Sequence, residues 1–296
     1  MVPDLSSSFP AQAFGLRWTS DRLLDQFSPA PGDGRTDVTV RCVEFLPERL
    51  GGVPFNNGEI FPDGVRFRFG DATFDTFGGD RVDWHSPSND EIPAAFYGTV
   101  AALILVWRGM VPLHGSAVAL GGQAVMIAGD PGAGKSSLCA ALVRQGGLLV
   151  SDDLSALLPL PRASAPMLQP GRPAIRLVAE GLGSRAGDKI LHSATMVDQT
   201  APIPFAAMVV LRDEPIAPGP ADAVEALRRE LFRPLWMRAL PFRRERTQTI
   251  LHAAPRIAML TLPSAVQRPE LAVDEKAEKV ISDLRRLGIV HPGALQ

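Results

Sequence analysis

The 296-residue chain carries 30 Lys+Arg against 32 Asp+Glu, a formal charge of -2, and is 46% hydrophobic and 21% charged. These proportions exclude a disordered chain and one that binds nucleic acid through bulk positive charge, and leave a globular protein with enough residues for a large core. Cys42 and Cys139 have neither metal-ligand nor disulfide-framework spacing, and no basic segment precedes a long apolar run at the start, so a cytoplasmic protein is expected.

The first thirty residues show no sustained period and are expected to form an extended lead-in. From Asp37 the pattern changes. "DVTVRCVEF" alternates, and "VRFRFGDATFDTF" sets two phenylalanine-rich alternating runs around Gly70-Asp71, a hairpin signal. Residues 1–90 are therefore read as a small, mostly β region, and 91–296 as a catalytic domain. Ile92–Trp107 is uncharged but falls short of the roughly 20 residues that cross hydrocarbon, so it is expected to be a buried helix and no membrane span is expected.

"HGSAVAL" and "AVMIAG" read as strands, residues 136–145 as a helix, and "GLLVS" as a strand ending at Asp152-Asp153. The proline-rich 157–173 segment reads as a loop with short strand pieces, 205–211 as a buried strand, and 221–240 as helices interrupted at Pro234. "RIAMLTLP" supplies another strand, and 271–287 an amphipathic closing helix with Leu271, Ala277, Val280, Ile281, Leu284 and Leu287 on its apolar face. Strands alternating with helices give an α/β fold.

The strongest chemical signal is Gly129, Asp130, Pro131, Gly132, Ala133, Gly134, Lys135 and Ser136, which matches G-x-x-x-x-G-K-[ST] between a strand and a helix. Glycines let backbone N–H groups turn toward phosphate oxygens, and the helix start adds partial positive charge. Lys135 is expected at the terminal phosphates and Ser136 on magnesium, with Ser137 in the first helical turn beside them. The absence of an N-K-x-D segment favours ATP as the nucleotide.

Two acidic pairs follow buried strands, Asp152-Asp153 and Asp213-Glu214. The first is separated from Lys135 by one helix and one strand, so it is favoured for the reaction. One carboxylate would accept a hydroxyl proton while the other orders the metal. Adjacent side chains on extended backbone point oppositely, so both can serve only where the strand ends or twists. His114 lies just upstream and can hydrogen-bond a carboxylate or balance phosphoryl charge.

In order, "LHGSAVAL", "IAGDPGAGKSSLCAALVRQGG" and "LLVSDD" resemble the catalytic domain of the HPr kinase/phosphorylase family, over about residues 112–154. The resemblance implies a fold like the nucleotide-binding portion of phosphoenolpyruvate carboxykinases. It also implies ATP- and magnesium-dependent phosphorylation of a serine on a protein partner. It makes Asp152 the base that activates the serine, Asp153 its partner in organising magnesium, and His114 the histidine beside the catalytic aspartate. Where the family carries an acidic residue before an arginine-glycine-leucine-glycine segment, "IRLVAEGLG" has Arg176, Glu180 and Gly181-Leu182-Gly183 in altered order. Glu180 is a candidate metal ligand and Arg176 a candidate charge contact, while phosphorolysis and HPr itself are not expected. Relatives encoded with ribosomally made peptides, including lasso peptide precursors, suggest a peptide or small-protein acceptor bearing serine.

Lys189 is a further candidate phosphate contact, and Arg228, Arg229, Arg233, Arg238, Arg243, Arg244 and Arg246 form a basic stretch suited to docking an acidic acceptor or to a solvated helix face. No nucleic-acid partner is expected, and a homo-oligomer is compatible with the sequence. The competing functions are a kinase for a small hydroxyl metabolite and a nucleotide-dependent regulatory or assembly module without phosphotransfer.

Overall fold

The computed structural model describes residues 8–88, 91–161, 164–178, 189–212, 219–264, 272–291, 293 and 294. It has an α/β architecture with mixed sheets. The first sheet contains β1 (Phe9–Ala13), β2 (Leu16–Ser20), β3 (Ser28–Pro29), β4 (Val38–Cys42), β5 (Val53–Phe55), β6 (Gly58–Phe61), β7 (Gly64–Phe69), β8 (Ala72–Phe77) and β9 (Arg81–His85). Their order across the sheet is β3-β1-β2-β4-β9-β8-β7-β6-β5.

The expected lead-in is instead a hairpin. Ala11, Ala13, Leu16 and Trp18 are buried, and the connection Phe14-Gly15 has both φ angles positive, 59° and 68°. Two features hid it. The inward positions of β1 are alanines rather than β-branched residues, and phenylalanine replaces the usual Asn or Asp before the turn glycine. The hairpin read at Gly70-Asp71 does form, as β7 and β8, with Phe67 opposite Phe74 and Arg66 opposite Asp75. The fully buried Asp75 carboxylate accepts from Arg66 Nε at 2.8 Å and Nη2 at 2.6 Å.

Phe96–Val100 forms a π-helical turn leading into α1 (Ala101–Trp107), buried from Ala101 through Val106. No helix among the described residues is long and apolar enough to cross a membrane. One apolar cluster joins Trp18, Phe27, Phe74 and Trp84 of the N-terminal region to Phe96 and Leu103, and continues to Leu154, Ala156, Phe232 and Trp236. Packing is therefore continuous across residue 90. Trp18 contacts Phe27 and Phe96 at ring separations of 5.2 and 5.8 Å.

The remaining elements are β10 (Val111–His114), β11 (Ser116–Leu120), β12 (Gln123–Gly129), α2 (Lys135–Arg144), β13 (Leu148–Ser151), β14 (Leu154–Leu157), β15 (Met167–Gln169), β16 (Ala174–Val178), β17 (Lys189–Ser193), β18 (Ile203–Leu211), α3 (Pro220–Arg229), α4 (Pro234–Ala239), α5 (Arg243–Ala253), β19 (Ala258–Leu262) and α6 (Val273–Arg286). The second sheet runs β10-β14-β15-β18-β12-β11-β13, with β19 beside β18, while β16 and β17 pair with each other. Central β12, β18 and β19 are parallel.

Strand β12 is apolar at every buried position because both its faces are covered. Ala124, Met126 and Ala128 enter the cluster that includes Ala226 and Ile250 on the helices, whereas Val125 and Ile127 meet Leu138 and Val280. Helix α6 buries Ala277, Val280, Ile281 and Leu284 as its period requires. Leu287, expected on that face, follows the last turn and is exposed.

Candidate active site

The carboxyl ends of parallel strands gather at one edge of a sheet, and the glycine-rich loop of residues 129–136 lies there, between β12 and α2. Gly129 has φ 138°, and a Cβ at that position would stand 2.8 Å from the Leu211 carbonyl oxygen of the neighbouring strand. Gly132 and Gly134 also have positive φ, and Gly134 precedes α2. Lys135 Nζ donates to the carbonyl oxygens of Gly129 at 2.8 Å and Asp130 at 3.2 Å, so its ammonium lies within the loop. Asp130, Pro131 and Ser137 are exposed, while Ala133 is buried beneath the turn.

The two aspartates occupy the corner between β13 and β14. Asp153 adopts φ 69°, and that left-handed residue breaks the extended path which would have sent the neighbouring side chains to opposite faces. Asp152 is 1% exposed. Its Oδ1 accepts from Ser116 Oγ at 2.5 Å and Ser136 Oγ at 2.9 Å, and its Oδ2 from the Arg176 backbone N–H at 2.7 Å. Asp153 is more open. Its Oδ1 lies 3.5 Å from His114 Nδ1, and its Oδ2 lies 3.6 Å from Arg172 Nη2 and 3.9 Å from Arg176 Nη1.

His114 closes β10, with Nδ1 3.2 Å from the Asp153 carbonyl and its ring 5.9 Å from that of Phe232. Gly115, which follows, is held so close to β12 that a Cβ would meet the Ile127 carbonyl at 2.7 Å. Burial, and then Lys135, lower the imidazole pKa below its usual value, against the opposing pull of Asp153. Glu230 is the unexpected neighbour. Its backbone carbonyl accepts from the His114 N–H at 2.5 Å. Burial pushes its carboxyl up to about 7, against Lys135 and the hydrogen bond from the Gly129 N–H.

The structure thus brings together His114, Lys135, Ser136, Asp152, Asp153 and Arg176. Lys189 opens β17 opposite Val178. Glu180, Gly181-Leu182-Gly183, Asp213 and Glu214 lie outside the described residues. Within the basic stretch, Arg246 is buried and donates to the carbonyls of Met237, Leu240 and Pro241, tying α4 to α5. Arg228 forms an exposed pair with Glu225 at 3.4 Å.

Ser116, Arg172 and Glu230 are site residues that sequence reasoning missed. Ser116 had a signal, since it stands two residues from His114 across a glycine that holds the chain against β12. Arg172 lies in a proline-rich loop, and Glu230 stands between Arg229 and Arg233 of the basic stretch. Tertiary contacts alone place Arg172 and Glu230.

Metal-holding capacity can be tested on the side chains. Among the described residues no three His, Cys, Asp or Glu side chains cluster as a self-sufficient metal cage. Magnesium on a nucleotide needs no such cage, because phosphate oxygens and water supply most of its shell and one or two side chains complete it. Ser136 and Asp152, joined at 2.9 Å, fit that requirement.

No family model matches the chain, and no curated protein matches it in sequence. Among solved structures it is similar to the Hpr(Ser) kinase/phosphatase from Coxiella burnetii, at 14% identity and a TM-score of 0.33, covering 60% of this chain and 97% of that one. A likeness this loose does not extend to side-chain roles.

Proposed function

We propose that the chain is an ATP- and magnesium-dependent kinase that transfers the γ-phosphate to a serine hydroxyl of a peptide or small protein. One observation carries the reading. The phosphate-loop hydroxyl of Ser136 sits on a buried carboxylate, Asp152, while the adjacent Asp153 is turned by its positive φ toward His114 and the more open side of the site. A simple nucleotide-binding switch has use for the first carboxylate but not for the second.

The roles divide in the reverse of the order expected from the family resemblance. Asp152, with both oxygens occupied by Ser116, Ser136 and Arg176, is the metal-side group. Asp153 is the base that removes the serine proton as the hydroxyl oxygen forms its bond to the γ-phosphorus and the bond to ADP breaks. His114, kept neutral by burial and Lys135, orients Asp153. Lys135 offsets charge on the phosphates, and bound magnesium supplies further neutralisation of the transferring group. Lys189 and Glu180 keep their candidate places as phosphate and metal contacts.

Incubation with radiolabelled ATP, magnesium and serine-bearing peptides, including any precursor encoded beside this chain, tests the reading. Label on serine is the expected result. Tight nucleotide binding without transfer to any hydroxyl would favour an assembly module, and label on a small alcohol alone would favour a metabolite kinase.

A further inference from the structure

Arg172 is 3% exposed, yet it comes from a proline-rich loop rather than a regular element. Its Nη2 donates to the Asp152 carbonyl at 3.2 Å and lies 3.6 Å from Asp153 Oδ2. Its Nη1 donates to Gln26 Oε1 at 2.8 Å, and its buried Nε has no hydrogen-bond partner among the described residues. A buried guanidinium with an unsatisfied donor is a costly way to fill space, and an apolar side chain would pack there more cheaply.

Gln26 is itself fixed on both sides. The preceding Asp25 accepts from Tyr97 Oη at 2.6 Å, and the following Phe27 packs against Trp18 and Tyr97 at ring separations of 5.2 and 5.3 Å. The loop that carries Arg172 is held from two directions as well. The Phe14 N–H donates to the Pro170 carbonyl at 2.7 Å, and the Gly171 N–H to the Val150 carbonyl at 2.7 Å. The β1–β2 turn, the arginine loop and the strand leading to the aspartates therefore form one hydrogen-bonded stack.

We propose that Arg172 is a positioning residue that holds Asp153 toward His114, with Gln26 as its anchor, so that the N-terminal sheet is part of the reaction centre. The expected rate effect rests on Asp153 acting as base, whereas the positioning itself does not. The groups facing the His114 imidazole are Lys135, Asp153 and Asp152, so its titration reports where the Asp153 carboxylate sits without any turnover.

Gln26→Leu keeps every charge and most of the packing but removes the acceptor for Arg172, and Gln26→Glu keeps an acceptor. In Gln26→Leu the NMR-detected titration midpoint of His114 is expected to fall, because the carboxylate that favours its protonated form moves away. Phosphotransfer kcat is expected to drop about 10- to 100-fold with KM for ATP unchanged, and Gln26→Glu should restore most of the loss. Arg172→Lys should lower kcat in the same way. An unchanged His114 midpoint in folded Gln26→Leu would overturn the proposal. If the wild type transfers no phosphate, the kinase reading fails and the His114 titration alone decides the positioning role.

Discussion

The hydroxyl of Ser136 donates to Oδ1 of Asp152 at 2.9 Å, joining the first turn of α2 to the corner after β13. The glycine-rich loop and the carboxylate proposed for the metal are thereby one unit. Asp152→Asn should leave metal-free nucleotide binding nearly intact and remove most of the gain in affinity that magnesium brings. Calorimetric titration with ATP, with and without magnesium, measures both.

Lys135 contributes through its charge at the loop. Lys135→Met should weaken ATP binding by about 1.5–3 kcal/mol, the usual worth of a hydrogen bond to a charged group, or roughly 10- to 100-fold. Its melting temperature should change little, and thermal unfolding without nucleotide checks that point.

Two half-buried groups at the site give stability opposite pH dependences. His114 is held below its usual value of 6.5, so as pH falls below 6.5 the unfolded chain takes up the proton first and stability declines. His114→Gln should remove that decline. Glu230 sits at about 7 against a usual 4.5, so the folded chain retains a proton between those values and stability declines as pH rises through them. Glu230→Gln should therefore stabilise the protein at pH 8 by roughly 1–3 kcal/mol and have little effect at pH 4. Denaturant unfolding at the two pH values tests the signs.

The left-handed backbone of Asp153 predicts a difference between its two truncations. Both Asp153→Gly and Asp153→Ala lose phosphotransfer and leave buried Arg172 without its carboxylate, but glycine alone relieves about 1 kcal/mol of backbone strain and should unfold at higher denaturant than alanine. The pair thereby separates the strain from the chemistry.

The glycine-rich turn before α2, the central buried strands and the β7–β8 hairpin were legible because each has a local cause: a glycine pattern, an apolar run closed by turn residues, or strict alternation. The β1–β2 hairpin was not, since alanines and a left-handed phenylalanine replace the usual signals. Helix α5 was hidden for a related reason. "RRERTQTILHA" reads as a basic run, and its burial depends on Arg246 tying back to α4. Within the site, proximity in sequence disclosed His114, Lys135 and the aspartate pair. Arg172 and Glu230 reach the same point by long-range packing, which no local spacing encodes.

The division of labour between the two aspartates is tested most directly by single-turnover transfer of radiolabelled γ-phosphate to a serine peptide, run beside ATP binding for wild type and Asp153→Asn. Wild type should label the peptide, and Asp153→Asn should bind magnesium and ATP with unchanged affinity while transferring about 10²- to 10⁴-fold more slowly. Transfer at the wild-type rate by Asp153→Asn, or no transfer by wild type to any serine-bearing peptide despite tight ATP binding, would contradict the account.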